Sequence, residues 1–388
     1  MIMVKPKSPF MILMALSIVL FELPLAHPAL AFPGDRRDES CSERIAAAIA
    51  ATPEGETPRL PQDCVEHPGM SALELRAAEA EMRAHPAPDV VQVPYQEDIV
   101  WSRAYRRMVG HVVIYDAPNG NPIGELDAGY NFVTVINEKD GFIQVNYGQW
   151  VEAEHITWAT VSEFAGVEIT TQPKRPFAWM LAEARPSRYP GGPQDKSAEI
   201  IPRYTLMNIY GVEYVDGWEW YLVGPDQWIQ QIRVAKVKAI PRPEGIGPND
   251  HWIAVDLYEQ TAVAYEGDRM VFATLISSGL PRWSTREGLF QIYERHEAIR
   301  MSGASGQPDF YFIEEVPYVM YFDGDIALHG TYWHDRFGYR QSHGCVNLSI
   351  MDAWWLYQWT SPEPYQNAWV YVYSSGTYRR DLPAWARR

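Results

Sequence analysis

The chain reads Ile326-Ala327-Leu328-His329-Gly330 and, after eleven further residues, Ser342-His343-Gly344-Cys345-Val346-Asn347. These two runs place two imidazoles beside one of the three cysteines of the chain. A thiol with the ordinary cysteine pKa of about 8.5 is mostly protonated at neutral pH, so a cysteine nucleophile needs a base. His329 and His343 are therefore both candidate bases for Cys345. Gly344 allows the backbone to turn tightly, so we expect the N–H groups of Gly344 and Cys345 to stabilise an oxyanion.

Three kinds of site fit this cluster of side chains. A zinc site would use His329, His334, His343 and Cys345. The His343-Gly344-Cys345 spacing, however, lacks the two-residue separation of common zinc knuckles, and no second cysteine pair is present. A purely structural cluster is the second alternative. Acyl transfer through a cysteine nucleophile is the interpretation that we favour, because the thiol has candidate bases on both sides.

The composition indicates a globular, acidic chain with more than one domain. Its 388 residues exceed an ordinary single domain, and 47% of them are hydrophobic. The aromatic fraction of 13% suits β-rich domains or surfaces that bind sugar rings, with core packing as the more ordinary explanation. The formal net charge is -16 and no basic cluster is present, which argues against nucleic acid as a partner.

The N-terminus has the pattern of an export signal. Lys5 and Lys7 precede an apolar run from Phe10 to Phe21, and Ala29-Leu30-Ala31 offers a small-x-small cleavage site. We therefore predict a signal peptide at residues 1–31 and an exported, extracytoplasmic protein of the cell wall or cell envelope. An uncleaved signal anchor is the alternative.

Residues 32–96 are rich in Ala, Glu and Pro, and we predict a spacer that contains a helix near Ser71 to Ala84. Cys41 and Cys64 lie in this spacer and can form a disulfide, since exported chains tend to pair their cysteines. Such a pair leaves Cys345 as the single free thiol.

The next part of the chain repeats itself. Three motifs recur in order, with Gly129-Tyr130 matched by Arg203-Tyr204, Asp140-Gly141-Phe142 by Asp216-Gly217-Trp218, and Gln149-Trp150-Val151 by Gln227-Trp228-Ile229. Short alternating strands between Gly and Asp turns are typical of a small β-barrel. Both copies resemble bacterial SH3-like domains, and we predict SH3-like domain 1 at 97–165 and SH3-like domain 2 at 166–240. Such domains are commonly wall- or peptide-binding adaptors; the alternative is that they only space and orient the next domain.

A Pro- and Gly-rich linker from Ile240 to Pro248 leads into the last predicted domain, residues 248–374. Strands at Ile253–Leu257 and Val271–Leu275 are predicted to form a hairpin at its start. A helix is predicted after Ser349, whose hydroxyl can cap it. Further strands are predicted at Leu289–Tyr293, Val319–Phe322 and Ile326–His329. The aromatic-rich loop from Thr331 to Gln341 is expected to act as a lid over the substrate.

His329-Gly330, followed by the block from Ser342 to Asn347, closely resembles the signature of L,D-transpeptidase (YkuD-like) catalytic domains. That signature is a histidine-glycine pair and then a serine- or threonine-His-Gly-Cys-x-Asn block, and the resemblance spans roughly residues 250–373. A weaker element of the family, usually Thr-Pro-x-Gly-x-Phe, reads here Thr285-Arg286-Glu287-Gly288-Leu289-Phe290. Arg286 stands where the family has proline.

The resemblance implies a β-rich sandwich whose enzymes crosslink peptidoglycan through a cysteine acyl-enzyme, with no metal or organic cofactor. By position, Cys345 is the nucleophile, His329 accepts and donates the proton, and the Gly330 carbonyl orients the imidazole. His343 and Gly344 support the oxyanion hole. The residues expected near the substrate, of which the last two act chiefly as scaffold of the loop, are Tyr311, Tyr332, Trp333, Arg340, Ser342 and Asn347.

The sequence as a whole predicts a mainly β fold, with two small SH3-like barrels followed by a β-rich sandwich that has one or two short helices. The predicted activity is that of an L,D-transpeptidase acting on peptidoglycan stem peptides, with wall association through the SH3-like domains. Two alternatives stay open. One is an L,D-carboxypeptidase that resolves the same thioester with water, and the other is a wall-binding protein without catalytic activity.

Overall fold

The computed structural model of the protein describes Met70, residues 72–304, Gln307 and residues 309–378. All of these residues belong to one unit, Glu66–Arg388. The predicted signal peptide, the predicted Cys41–Cys64 pair and most of the spacer lie outside the described residues. Across the described part of the chain, no helix is both long enough and apolar enough to cross a membrane.

Two short helices and one strand precede the repeated segments: α1 at Ala72–Ala84, β1 at Val91–Gln92 and α2 at Glu97–Val100. α1 forms where the Ala-, Glu- and Leu-rich sequence predicts a helix, because these residues have high helix propensity. Ala78 and Met82 lie four residues apart on one face of α1 and are buried against Trp220 and Trp228. The helix therefore packs onto the second repeat.

The two repeats end in the same order of elements, a hairpin followed by a strand, a 3-10 turn and a last strand. The first contains β2 at Ala104–Met108, β3 at Val112–Tyr115, β4 at Pro122–Leu126, β5 at Tyr130–Val135, β6 at Asn137–Lys139, β7 at Phe142–Asn146, β8 at Gln149–Glu152 and β9 at Ile156–Trp158, followed by β10 at Val167–Glu168. The second contains β11 at Phe177–Met180, β12 at Leu206–Asn208, β13 at Gly211–Val215, β14 at Trp218–Gly224, β15 at Gln227–Gln230 and β16 at Val234–Val237. The SH3-like assignment of these segments stays a prediction.

An Asp-Gly turn sits at the same place in each repeat. Asp140 and Gly141 have φ angles of 51° and 79°, and Asp216 and Gly217 have 52° and 79°. Two consecutive positive φ angles are the signature of the type I′ turn that joins antiparallel strands. The recurring Asp-Gly pairs of the sequence therefore close the β6–β7 and β13–β14 hairpins.

The C-terminal part is rich in strands and contains one longer helix. Its elements are β17 at His251–Asp256, β18 at Thr261–Glu266, β19 at Arg269–Leu275, β20 at Gly288–Gln291, β21 at Glu294–Gly303, β22 at Tyr311–Asp323, β23 at Ile326–Gly330, β24 at Val346–Leu348, α3 at Ile350–Trp359 and β25 at Trp369–Tyr373. The prediction of a mainly β chain is confirmed. The predicted hairpin at its start is a three-stranded meander, since β18 lies between the two predicted strands.

Two large sheets pack against each other around the main core. One has the strand order β1-β10-β19-β18-β17-β25-β20, and the other has the order β24-β23-β22-β5-β2-β9, with β21 paired to β22. Ile253 and Phe272 of the first sheet share one apolar cluster with Met320 and Leu328 of the second and with Leu356 of α3. This arrangement fixes β23 and β24, which carry the candidate site, on a buried foundation.

β-Pairing crosses the boundaries that the sequence predicts between domains. β5 of the first repeat pairs in parallel with β22, where Tyr130 lies opposite Tyr311. β10 pairs with β1 on one side and with β19 on the other. The spacer, the first repeat and the C-terminal region thus share sheets, so these segments do not form independent hydrogen-bonded units.

Asp352 ties α3 to the rest of the molecule. As predicted, the Ser349 hydroxyl caps α3 and accepts a hydrogen bond from the Asp352 N–H at 3.1 Å. The Asp352 carboxylate is fully buried and accepts hydrogen bonds from the Gly166 N–H at 2.7 Å and the Thr274 hydroxyl at 2.5 Å. Burial raises the pKa of Asp352 to about 6, although these hydrogen bonds oppose the shift.

Asp352 makes stability depend on pH in a predictable direction. The pKa of the Asp352 carboxyl is about 6 in the folded protein, and its ordinary value, which applies to the unfolded chain, is 3.8. The unfolded chain therefore loses this proton first as the pH rises. Protonated Asp352 therefore contributes its full stabilisation of the folded state below about pH 4. This contribution is lost by about pH 6 to 7, which lowers the free energy of unfolding by about 3 kcal/mol. We expect the free energy of unfolding of wild type, relative to Asp352→Asn, to fall by that order between pH 4 and pH 7 in urea titrations. The exposed Asp89→Asn variant is the control, and an equal pH dependence of wild type and Asp352→Asn would contradict the expectation.

Candidate active site

The pairing of β23 with β24 brings the two signature motifs together. The strands are parallel, with Leu328 opposite Val346 and His329 opposite Asn347. Neighbouring strands lie about 4.8 Å apart, so the residue directly before β24, Cys345, lies beside the strand that carries His329. The Ala327 N–H donates a hydrogen bond to the Cys345 sulfur. The loop from 331 to 341 thus folds back and joins residues that are sixteen positions apart.

Cys345 is half-buried and is a free thiol. Burial raises its pKa to about 11, the Ala327 N–H opposes this shift, and the negative charge of Asp325 adds to it. The thiol also approaches the Asp325 carbonyl oxygen at 3.8 Å. Cys345 is consequently a neutral thiol at pH 7, and a base must take its proton when it attacks.

The imidazole of His329 is held in one orientation. His329 is 2% exposed, and its Nδ1 donates a hydrogen bond to the Gly330 carbonyl oxygen at 3.0 Å. A carbonyl oxygen can only accept, so the proton of the neutral ring lies on Nδ1 and Nε2 is left as the basic atom. Burial lowers the pKa of His329 to about 4, so the ring is neutral at pH 7. The Gly330 carbonyl thus makes the contact that the resemblance implies.

The raised pKa of Cys345 sets the pH dependence of its alkylation. Only the thiolate reacts with iodoacetamide, and its fraction rises tenfold per pH unit below the pKa. We therefore expect slow labelling at pH 7 and a rate that increases about tenfold per unit towards pH 10, followed by intact mass and located by peptide mapping. A fast rate that is the same from pH 6 to pH 9 would show a resting thiolate–imidazolium pair and contradict the neutral pair.

The loop before Cys345 is closed by side-chain hydroxyls. The Ser342 hydroxyl donates to the Cys345 carbonyl oxygen at 2.5 Å and accepts from the Gly344 N–H at 3.1 Å. Thr285 donates to the Gly344 carbonyl oxygen at 2.7 Å. Gly344 has a φ of 122°, and a Cβ there would lie 2.6 Å from the Ile326 side chain. Only glycine therefore fits this turn.

The predicted oxyanion role of Gly344 needs correction. Its N–H already donates to the Ser342 hydroxyl, so it does not point freely at a reacting carbonyl. Of the two N–H groups that were predicted to stabilise an oxyanion, the Cys345 N–H is the one that remains a candidate. Gly344 acts through its backbone conformation instead, because that conformation carries the chain from His343 into Cys345.

His343 lines the opening of the site with two aromatic rings. Its ring centroid lies 3.8 Å from that of Trp283 and 5.0 Å from that of Tyr311. Burial lowers the pKa of His343, and its Nε2 is buried without a hydrogen-bond partner among the described residues. Burial raises the pKa of Tyr311 to about 12, and the nearby Cys345 adds to the shift. Tyr311 therefore lies near Cys345, and its predicted contact with substrate stays a prediction.

The predicted lid is a buried segment. Tyr332 and Phe337 are 0% exposed, so neither can move freely over a substrate. The Tyr332 ring stacks on Tyr105 at 4.0 Å, and its hydroxyl donates to the Glu314 carbonyl oxygen at 2.6 Å. The prediction that Tyr332 contacts substrate is therefore wrong. The buried Trp333 lies with its centroid 5.6 Å from that of His329 and forms a wall of the imidazole pocket.

Arg340 and Asn347 both contact neighbouring parts of the protein. The Arg340 guanidinium lies over the Tyr378 ring at 4.4 Å, and its backbone N–H donates to the Tyr378 hydroxyl at 3.2 Å. Asn347 is 3% exposed, and its backbone pairs with Ser277 in both directions. Arg340 is half-buried, whereas Asn347 is buried. The scaffold role of Asn347 and Ser342 stays a prediction, and their hydrogen bonds within the protein are consistent with it.

His334 is a buried neighbour of His329, and the sequence suggested only a zinc-ligand role for it. Its Nδ1 accepts a hydrogen bond from the Arg336 N–H at 3.2 Å, and its Nε2 lies 2.9 Å from the Asn347 side-chain amide. Burial, Arg336 and His329 lower the pKa of His334 to about 3, so the ring is neutral. The atom of Asn347 that lies 2.9 Å from the His334 Nε2 is the amide nitrogen Nδ2, so the two side chains are hydrogen-bonded. His334 therefore fixes the side chain that lies opposite His329.

These contacts also argue against the zinc alternative. The described residues contain a group of His, Cys, Asp or Glu with metal-ligand spacing at Glu152, Glu154 and His155, away from the candidate site. Both ring nitrogens of His334 are engaged in hydrogen bonds, so His334 is not free to act as the zinc ligand that this alternative needs.

Comparison with known proteins agrees with this geometry. Residues 250–372 match the family model described as the L,D-transpeptidase catalytic domain, YkuD. This match covers about a third of the chain. The chain is also similar to YciB of Bacillus subtilis (strain 168), which is named as a candidate L,D-transpeptidase. The two are 29% identical over 120 residues, which cover 28% of this chain and 59% of YciB. The chain therefore spans less than two thirds of this curated relative.

Solved structures of L,D-transpeptidases are similar to about a third of the chain. A crystal structure of an Enterococcus faecium L,D-transpeptidase mutant is 27% identical, covers 32% of this chain and 50% of its own, and has a TM-score of 0.29. A solution structure of the catalytic domain from E. faecium L,D-transpeptidase is 26% identical, covers 32% of this chain and 98% of its own, and has a TM-score of 0.28.

Sequence reasoning missed several residues of the candidate site. Trp283 lies in a short 3-10 turn at Pro281–Trp283, far from the signature, and nothing in its local pattern marks it. Asp325 lies in the turn before β23, and no sequence motif includes it. Thr285 is the first residue of the weaker family element, so that element held a usable signal for the residue that shapes Gly344.

Proposed function

We propose that this chain is an exported L,D-transpeptidase that crosslinks peptidoglycan stem peptides through an acyl-enzyme on Cys345. The observation that carries the proposal is the parallel pairing of β23 and β24, which brings the Cys345 thiol beside the strand that carries an oriented His329. The match of residues 250–372 to the L,D-transpeptidase catalytic domain supports the same reaction class. The N-terminal pattern of Lys5, Lys7 and the apolar run supports export.

The reaction begins from the neutral pair. The Cys345 sulfur attacks the carbonyl carbon before the terminal D-alanine of a tetrapeptide stem, while the His329 Nε2 takes the thiol proton. The Gly330 carbonyl keeps one proton on Nδ1 of His329. In the imidazolium that forms, the Nδ1–H group bonds to this carbonyl and the Nε2–H group carries the proton taken from the thiol. The nitrogen of D-alanine then receives the proton from Nε2, the C–N bond breaks and D-alanine leaves. Cys345 now carries a thioester.

An amine of a neighbouring stem resolves the thioester. Its nitrogen attacks the thioester carbon and gives its proton to the His329 Nε2, and the departing Cys345 sulfur recovers that proton. The negative oxygen of each tetrahedral intermediate needs a donor, for which the Cys345 N–H and the unpartnered Nε2 of His343 are the available groups. The resulting products are a crosslinked peptide and free enzyme.

Product analysis tests whether an amine or water resolves the thioester. We expect incubation with a tetrapeptide stem and an acceptor amine to give a crosslinked product together with one D-alanine for each crosslink. Release of a tripeptide that is unaffected by the acceptor would identify an L,D-carboxypeptidase and contradict crosslinking. Products are quantified by liquid chromatography with mass detection.

We further propose that the SH3-like segments attach the enzyme to the wall. Trp158 at the end of β9 is 70% exposed, and the Arg106 guanidinium lies over its ring at 3.6 Å. Trp101 packs edge-on against it at 6.4 Å, so the first repeat presents an aromatic surface that suits wall sugars. Sedimentation with purified peptidoglycan should fall at least about fivefold in Trp158→Ala, whereas equal sedimentation of wild type and variant would refute this attachment.

A further inference from the structure

The loop from 331 to 341, which directly follows β23, is contacted by both repeats. On one side, the Tyr332 ring stacks on Tyr105 of β2. On the other side, Asp335 contacts the second repeat and the segment that precedes β10. None of the proposed reacting atoms lies in this loop, yet the position of the loop depends on both repeats.

The Asp335 carboxylate is the centre of a hydrogen-bonded cluster. Its Oδ2 accepts from the Arg203 Nη1 at 2.7 Å, and its Oδ1 accepts from the Tyr204 hydroxyl at 2.7 Å and the Ser162 hydroxyl at 2.5 Å. The Asp335 carbonyl oxygen accepts a further bond from the Arg203 Nη2 at 2.7 Å. One guanidinium thus bonds to both the side chain and the backbone of Asp335, which fixes this residue more firmly than a single contact would.

The cluster is partly shielded from water. The Arg203 and Asp335 side chains are 21% and 29% exposed. The Arg203 guanidinium lies 3.9 Å from the centroid of the Tyr204 ring, and that ring packs on Phe164 at 4.5 Å. Phe164 in turn lies 6.2 Å from Phe337 of the loop. Because water screens a partly buried ion pair less than an exposed one, we expect this cluster to hold the loop in place.

The two residues directly before Asp335 reach the surroundings of the catalytic imidazole. The Trp333 ring centroid lies 5.6 Å from that of His329. His334 bonds to the Asn347 side chain at 2.9 Å, and Asn347 lies opposite His329 in the β23–β24 ladder. A displacement of Asp335 would therefore move both contacts. A displacement of a catalytic group by about 1 Å can lower a rate by about 10²-fold.

Arg203 is a feature of the second repeat that the repeated fold does not require. The sequence repeat matches Arg203-Tyr204 with Gly129-Tyr130, so the first copy has a glycine where the second has the arginine. Arg203 lies between β11 and β12, and its partner Asp335 is 132 positions further along the chain. The contact with the loop therefore explains this arginine better than the fold of the repeat does.

We propose that Arg203 and Asp335 are positioning residues of the Cys345 site, through which the second repeat holds the loop that packs against the His329 imidazole. The inference rests on the proposed function for the reaction that these residues assist. It assigns the second repeat to the catalytic unit. Neither residue touches the reacting atoms, so their loss should slow the chemical step and leave substrate binding unchanged.

Kinetics of the full-length protein test the proposal. We expect Arg203→Ala to lower kcat for tetrapeptide stems at least about tenfold, with KM within about twofold of wild type. Arg203→Lys keeps the charge but cannot form both contacts with Asp335, so it should recover part of the loss. Arg203→Ala combined with Asp335→Ala should be no slower than Asp335→Ala alone, because both changes break the same contact.

Two control variants should keep the wild-type kcat. Arg188→Ala breaks the Arg188–Asp195 ion pair, which also lies in the second repeat and has the same length of 2.7 Å but does not involve the loop. Lys139→Glu changes an exposed charge on β6 of the first repeat. Thermal denaturation of each preparation shows that the compared proteins are folded.

A measurement without substrate follows the imidazole itself. The His329 Nδ1–H is buried and bonded to the Gly330 carbonyl, so it should give a slowly exchanging proton signal in full-length protein labelled with ¹⁵N-histidine. The signal is assigned by its absence in His329→Gln. We expect it to shift or broaden in Arg203→Ala and to stay at the wild-type position in Arg188→Ala.

An unchanged Nδ1–H signal in Arg203→Ala would overturn the proposal, whatever reaction the protein catalyses. A wild-type kcat in Arg203→Ala, a loss confined to KM, or additive losses in the double variant would also overturn it. Failure of the proposed function has a different result, since wild type itself would then form no acyl-enzyme on Cys345. In that case the Nδ1–H signal still decides whether Arg203 positions His329.

Discussion

Replacing Cys345 with alanine is expected to lower kcat for tetrapeptide stems at least about 10³-fold. The thiol is the group that forms the thioester, and the remaining elements of the site cannot substitute for a nucleophile. The side chain is half-buried and small, so its loss should change the midpoint of thermal unfolding by only a few degrees. Turnover is measured as D-alanine release at saturating stem peptide, and folding is measured by thermal denaturation of the same preparation.

Cys345→Ser provides the stricter version of this experiment. A serine hydroxyl keeps the size and the hydrogen-bonding position of the thiol but is a far weaker nucleophile at the same base. We expect it to be as inactive as alanine while the Lys139→Glu control keeps full activity. Turnover within tenfold of wild type in either Cys345 variant would show that the reaction does not pass through this thioester.

Replacing His329 with glutamine is expected to lower kcat/KM by about 10² to 10⁴-fold. Glutamine retains a polar group in the pocket but cannot accept and return a proton. Wild type should lose activity only towards pH 4, where His329 becomes protonated, and should hold a plateau at neutral pH. In the variant the rate should instead rise about tenfold per pH unit up to about pH 10, because the thiolate must form without a base.

His334→Gln is the matched control for this change. His334 is also buried and neutral, but its hydrogen bond is to the Asn347 side chain and not to the thiol. Glutamine can replace its contacts, so we expect a smaller loss and a pH profile with the wild-type plateau. A rate that stays independent of pH in His329→Gln would show that His329 does not transfer the proton. A pH profile that changes only in His334→Gln would show the same.

The candidate site was predictable because its signals are local. The signature from Ser342 to Asn347 contains the nucleophile, and His329 ends a strand whose Ile-Ala-Leu run is readily recognised. Parallel pairing of β23 and β24 then follows once the intervening loop folds back. The Asp-Gly turns and the Ser349 cap were equally accessible, since each depends on the conformational preference of one or two residues.

Elements held by long-range pairing were not predictable in the same way. β21 has the sequence Glu294 to Gly303, with five charged or histidine side chains among its first seven residues, so its strand propensity is low. It forms because it pairs along its length with β22. The sheet that joins β5 to β22 also depends on residues about 180 positions apart. No local pattern specifies such a contact.

The loop after His329 shows how one composition supports two interpretations. Its aromatic residues suggested a lid that meets substrate, yet Tyr332 and Phe337 are in the core. Aromatic side chains bury large apolar areas, so a loop rich in them is drawn inward when the adjoining sheet offers a surface such as Tyr105. The loop therefore packs against the His329 imidazole through Trp333 and does not cover a substrate.

The most direct test of the central claim is the intact mass of the full-length protein after brief incubation with tetrapeptide-containing muropeptides. We predict an added mass equal to the muropeptide minus D-alanine, located by fragmentation on Cys345 and discharged when an acceptor amine is supplied. Product formation without this adduct, or an adduct on another residue, would contradict a mechanism through a Cys345 thioester.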